Sequence, residues 1–273
     1  MYLKATRVTF ILLASVLLLS GFVQGTNQSA YTIAVPHRNM RVLFIGNSYT
    51  IYNDLPWVTQ QLALSAHPAR PLQTEMVAMM GATLQEHWND GTALRKLKQD
   101  GPWDYVVLQE QSTRALENPE AMRDYALLFN EEINKAGAQA ILFVPWAHRE
   151  HPENQVGIID AYMSLAQEMD ATVAPVGPAW QTALRYKPQT PLYKHDADSH
   201  PAAAGSYLAA CVLYATIYGS SPEGVTASVT DQGMVRHEFD PLGDDVKEEP
   251  FSLSGSDARF LQRTAWWSVK ELQ

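Results

Sequence analysis

MRVLFIGNSYT, residues 40–50, is a short apolar run that stops at Gly46-Asn47-Ser48. Such a run without polar alternation reads as a strand buried on both faces, and Gly, Asn and Ser all favour turns. Four further runs follow the same pattern: LQTEMVAMMG (72–81), DYVVLQE (104–110), QAILFVPWA (139–147) and ATVAPVG (171–177). Helix-like segments separate them at residues 54–66, 83–98, 119–135 and 153–169. The third opens on Asn118-Pro119, a cap residue followed by proline in the first turn, and Gly137 stands where a C-terminal cap glycine belongs. Strands alternating with helices imply βαβ units. The expectation is a three-layer α/β/α sandwich around a central, mainly parallel five-stranded sheet, with ligands at the carboxyl ends of its strands.

Beyond these units, AAAGSYLAACVLYATIYG (202–219) is a long apolar helical segment. A last helix carries Ala258, Leu261, Ala265, Val269 and Leu272 on one face, with Ser254 and Asp257 placed to form its capping box. Residues 220–253 show no period and read as a surface loop. The expected organisation is a single domain at 40–273, behind an extension at 26–39.

The chain has 273 residues, 46% of them hydrophobic and 18% charged, with a formal net charge of −9. It is long enough to bury a substantial core, and its acidity argues against a nucleic-acid partner, whose footprint is a basic face. One cysteine, Cys211, excludes an internal disulfide and a cysteine-based zinc site, and it reads as a small buried hydrophobe. Lys4 and Arg7 precede the apolar run VTFILLASVLLLSGFV (8–23), shorter than the ~20 residues of a membrane span. That is the pattern of a signal peptide ending after Gly25. It implies export to the periplasm or the extracellular space, with no stable membrane span after cleavage; an uncleaved anchor is the alternative.

The end of the first strand is where chemistry is expected. Ser48 stands just past it, where a hydroxyl reaches the crevice and backbone N–H groups are at hand for a developing oxyanion. Far along the chain, Asp196-Ala-Asp198-Ser-His200-Pro201 forms a loop entering the apolar helix. A serine, a histidine and a carboxylate at strand and loop ends are the parts of an acyl-transfer triad.

These blocks resemble the SGNH (GDSL-type) hydrolases, in a variant subgroup. FIGNSYT matches the nucleophile block with Ser48, MMGATLQEHW places Gly81 at the second block, and DADSHPAAAGSYL matches the last block with His200. The resemblance runs from about Met40 to Gly219 and implies the flavodoxin-like SGNH fold. Three departures stand out. Asn47 replaces the aspartate that precedes the nucleophile. The third block, normally Gly-x-Asn-Asp, reads Gln109-Glu110-Gln111-Ser112, so Gln111 falls where the oxyanion asparagine belongs, and its amide can donate the same hydrogen bond through one more methylene. The aspartate position three before the histidine is Ala197; Asp196 or Asp198 takes its role, or a Ser–His dyad operates.

The resemblance implies a serine esterase. His200 takes the Ser48 proton, an aspartate orients the ring, and the Ser48 and Gly81 N–H groups with the Gln111 amide hold the oxyanion. No metal or organic cofactor is needed. Trp146, at the end of the fourth strand, is a candidate to line the substrate pocket. His148 and His151 have helical i, i+3 spacing but supply too few ligands for a metal site, and read as a loop beside the crevice. His87 beside Trp88 reads as packing. The expected substrate is a small-molecule or glycan ester, with acetyl esters of carbohydrates favoured by export and by aromatic residues near the strand ends. Lysophospholipase or thioesterase chemistry and a non-catalytic flavodoxin-like ligand-binding protein are the alternatives. The sequence does not fix the oligomeric state.

Overall fold

In the computed structural model, residues 38–194, 199–229 and 251–272 are described. They belong to one unit, His37–Gln273. Residues 1–37, which hold the expected signal peptide and nearly all of the extension, lie outside the described residues.

The sheet order is β2-β1-β3-β4-β5, built from β1 (Met40–Gly46), β2 (Leu72–Ala78), β3 (Tyr105–Leu108), β4 (Gln139–Phe143) and β5 (Thr172–Ala174). Every neighbouring pair is parallel. Strand β1 is central to the first half: Phe44 is opposite Met76 on one side and Val107 on the other. Its side chains alternate between two cores. Val42 and Phe44 join the apolar cluster under helices α2 (Leu55–Ser65), α8 (Val176–Tyr186), α9 (Ala203–Tyr218) and α10 (Gly255–Leu272). Leu43 and Ile45 join the other, under α3 (Leu84–Asp90), α4 (Thr92–Gln99), α5 (Arg114–Glu117), α6 (Pro119–Lys135) and α7 (Gln155–Met169). A strand covered on both faces has no polar side, which is why its sequence does not alternate. A single residue, Asn47, joins β1 to the short helix α1 (Ser48–Ile51).

The caps behave as their residues require. Asn118 accepts the Ala121 N–H at the start of α6, and Gly137 just past its end has φ +73°. The Ser254 hydroxyl accepts the Asp257 N–H at 3.1 Å. Helix α9 is buried almost throughout, because it packs against α2, α8 and α10 as well as β5. It therefore shows no amphipathic period.

The fold departs from the sequence reading at four places. The segment 83–98 is two helices, since Gly91 at φ +77° ends α3 and caps α4. The fifth strand stops at Ala174, and Val176 and Gly177 already belong to α8, an element without a sequence signal of its own. Gly177 is there because the α8 start lies against the exit of β4: its N–H donates to Val144 O at 2.9 Å. A Cβ at that position would stand 2.2 Å from Pro145 O. Residues 220–253 are not wholly without structure: β6 (Ser228–Val229) pairs antiparallel with β7 (Phe251–Ser252). Among the described residues no helix is long and apolar enough to cross a membrane.

Gly177→Ala is expected to destabilise the protein by about 3 kcal/mol, because a backbone carbonyl must move to admit the methyl. Urea unfolding at constant m-value measures this; a midpoint unchanged from wild type would show that the β4 exit relaxes freely.

Candidate active site

The turn after β1 is pinned from three directions. Gln109 Oε1, just past β3, accepts the Asn47 N–H at 3.0 Å and the Thr50 hydroxyl at 2.9 Å. Asn47 accepts the Tyr49 N–H at 3.1 Å, and its amide donates to Ala82 O at 3.1 Å. So Asn47 caps α1 and ties it to the loop after β2. Gly46 is where these groups converge, and a Cβ there would lie 2.4 Å from the Thr50 hydroxyl and 2.7 Å from Gln109 Oε1. The Gly46 carbonyl accepts the His87 Nε2–H at 2.7 Å. Burial holds that imidazole below its ordinary value, so His87 is a neutral prop beneath the turn.

This geometry sets Ser48 as the first residue of α1, on the wall of a cavity of about 590 Å³. Gly81, Gln111 and His200 line the same cavity, with Ser112 and His148 beside them. Gly81 has φ +68°, a left-handed backbone that glycine adopts readily. The Gln111 amide is oriented by its neighbours: Thr113 donates to Gln111 Oε1 through its N–H at 2.9 Å and its hydroxyl at 3.0 Å. The carbonyl end being occupied, the NH₂ end is the one left to point toward Ser112 and the cavity.

Glu110 joins the second and third blocks. Its Oε1 accepts the Leu84 N–H at 3.1 Å and the Gln111 N–H at 2.7 Å. The side chain is buried, and burial pushes the carboxyl above its ordinary value of 4.5, against the opposing pull of those donors and of Arg114.

The His200 ring stacks on Tyr52, centroids 4.3 Å apart, and meets Tyr49 edge-on at 6.0 Å. Its backbone is held as well, His200 O accepting the Lys194 N–H at 3.0 Å. Asp196 and Asp198 lie outside the described residues.

Trp146 corrects the sequence reading. It is 1% exposed and does not line the cavity. Instead it stacks between Tyr49 at 4.2 Å and Trp180 at 4.0 Å, and its indole N–H donates to Ser199 O at 2.9 Å. It props both the residue after Ser48 and the residue before His200. His148 and His151 go separate ways: His148 Nε2 meets the Ser112 hydroxyl at 2.9 Å, and His151 pairs with Glu153. Among the described residues no group of three His, Cys, Asp or Glu is placed to hold a metal ion. The sequence reading missed the Ser112–His148 pair and the bracing by Gln109 and Glu110; a polar LQEQS tract directly behind a buried strand was the available signal.

No family model and no curated protein matches the chain. Solved structures do. A protein from Slackia heliotrinireducens described as a candidate SGNH hydrolase is 28% identical, with a TM-score of 0.57 over 66% of this chain and 99% of that one. A DUF4886 family protein from Bacteroides uniformis is 16% identical, with a TM-score of 0.55 over 85% of this chain and 95% of its own. An acetyl xylan esterase, AlAXEase, is 14% identical, with a TM-score of 0.53 over 65% of this chain and 100% of its own. The last two share the fold.

Because the Glu110 carboxyl titrates higher in the folded chain than in the unfolded one, the folded state binds its proton more tightly. Stability on this account is fullest below the ordinary glutamate value and falls as pH rises through the folded value. Glu110→Gln keeps an acceptor for both N–H groups and removes that loss. Its melting temperature relative to wild type is expected to be higher at pH 7 than at pH 4, and melts at the two values test it.

Proposed function

Because the chain belongs to the SGNH hydrolase superfamily, we propose that it is a serine esterase working through an acyl-enzyme at Ser48. The observation that carries this reading is the meeting of Ser48, Gly81, Gln111 and His200 on one cavity, from four distant parts of the chain.

Each group has a chemical task. His200 accepts the Ser48 proton as the hydroxyl oxygen attacks the ester carbonyl, then returns a proton to the departing alcohol. The negative charge that develops on the carbonyl oxygen is met by the Ser48 and Gly81 N–H groups and by the Gln111 amide, already turned donor-end inward. One such donor is worth about 3 kcal/mol of transition-state stabilisation. Water, deprotonated by the same histidine, then attacks the acyl-enzyme, and the histidine returns that proton to Ser48 as the acid departs. Asp196 or Asp198 orients the ring and stabilises the imidazolium.

The acyl group is short. Among the described lining residues, apolar side chains come only from Met80 and the nearly buried Tyr49, too little surface for a long chain. A short-acyl ester, an acetylated carbohydrate foremost, suits such a wall, and the fold neighbour AlAXEase, titled an acetyl xylan esterase, supports the choice. The N-terminal segment 1–25 directs the protein out of the cytoplasm, where glycan esters are met.

Ser48→Ala and His200→Ala are each expected to lower kcat/KM for p-nitrophenyl acetate by about 10⁴-fold or more, with melting temperatures near wild type. Turnover by Ser48→Ala equal to wild type would remove the triad. Of Asp196→Ala and Asp198→Ala, the expected result is a loss of about 10³–10⁴-fold in one and a small change in the other; two small changes would leave a dyad.

A further inference from the structure

Ser112 and His148 share the cavity with Ser48 and His200, yet acyl transfer makes no use of them. Ser112 Oγ lies 2.9 Å from His148 Nε2. Gln111 approaches the same hydroxyl. Its amide oxygen is occupied by the two Thr113 donors, so its NH₂ approaches Ser112 Oγ, at 3.4 Å, as a donor. A hydroxyl has one proton and two lone pairs, so while it accepts from Gln111 it can either give its proton to His148 Nε2 or accept from it. In the first arrangement Ser112 Oγ keeps a second lone pair for a ligand, and in the second it keeps its proton.

The position left takes a donor in one arrangement and an acceptor in the other, so the ligand group that fits both is one that donates and accepts. A hydroxyl qualifies. A carboxylate or a phosphate needs a cation to hold it, and among the described lining residues there is no Lys or Arg. The same wall reaches the oxyanion station through Gln111, the residue before Ser112, so a group bound by the pair sits beside the reacting ester. We propose that Ser112 and His148 form a subsite for a free hydroxyl on the alcohol half of the substrate, so that the preferred substrates are short-acyl esters of polyols and sugars with an unesterified neighbouring hydroxyl. This rests on the reading of Ser48 as the nucleophile.

The test compares two acetates of matched size, glyceryl monoacetate and propyl acetate, on the purified full chain, with a fluorophosphonate probe to locate the reactive serine by peptide mapping. Wild type is expected to favour the glyceryl ester by about 10- to 100-fold in kcat/KM, with the probe on Ser48. Ser112→Ala and, independently, His148→Phe are expected to reduce that ratio by about tenfold, chiefly through KM for the glyceryl ester. A ratio unchanged in both variants, or no preference in wild type, overturns the subsite. Labelling at Ser48 without turnover of either acetate overturns the substrate class and leaves the serine hydrolase standing. Labelling at Ser112 instead makes Ser112–His148 the nucleophile and base, and overturns both readings. No labelling and no turnover removes the hydrolase reading, and the subsite with it.

Discussion

The indole of Trp146 sets the distance between the two ends of the site. Ser48 enters from the exit of β1 and His200 from the loop before α9, so no single element carries both. Trp146 leaves the end of β4 and touches each in a different way: its face against Tyr49, its N–H to Ser199 O. The stacking continues to Trp180 and, edge-on at 5.0 Å, to Tyr193, on the other flank of the histidine loop. Stacked aromatic pairs contribute about 0.5–1.5 kcal/mol each beyond their buried area. The greater effect is rigidity, since flat rings buried between neighbours have no second rotamer to adopt. A nucleophile and a base must meet within a few tenths of an ångström for proton transfer, and a buried indole is a stiffer spacer than any loop.

The other constraint is polar. Behind β3, Gln109, Glu110 and Gln111 direct their side chains to the first block, to the second, and to their own turn respectively. In the related hydrolases a Gly-x-Asn-Asp block occupies this position. Here two buried side chains take up N–H groups that a tight turn would otherwise leave unsatisfied, and an orphaned buried donor costs about 1–3 kcal/mol. The cost is a buried carboxylate at Glu110, offset by two backbone donors and by Arg114 nearby. The LQEQ variant is therefore coherent as a set. Replacing one member by the family residue would strand the partners of the others.

The inner strands β1, β3 and β4 were legible in the sequence because burial on both faces produces continuous apolar runs, whereas the partly exposed edge strands β2 and β5 were placed by their alternation with helices. Ser48 and His200 were legible from their places at a strand end and a loop end, and Gly81 and Gln111 only through the resemblance of their blocks. Helix α8 was not, for its start VGPAW carries proline and glycine and continues straight from a strand, so neither a cap nor a period announces it. The break at Gly91 was hidden by a residue that is tolerated inside helices as well as at their ends. Trp146 was misread because proximity to a strand end says nothing about direction: its ring turns inward to the core. The Ser112–His148 pair joins residues 36 positions apart on two loops, a relation that no local pattern contains.

The cradle of His200 bears on how the base is charged. In the proposed reaction His200 passes through an imidazolium, and the stacked Tyr52 ring offers that cation a π face. A cation–π contact of this kind is worth about 0.5–2 kcal/mol. The carboxylate partner of a catalytic histidine is worth about 10⁴-fold in rate, or about 5 kcal/mol. Lys194 moreover places its own cation 4.6 Å from the same Tyr52 ring, so a second positive charge competes for that π density. As a charge partner in the proposed reaction, the Tyr52 ring is therefore worth less than a carboxylate would be. Asp196 and Asp198 are the acids within four residues of His200.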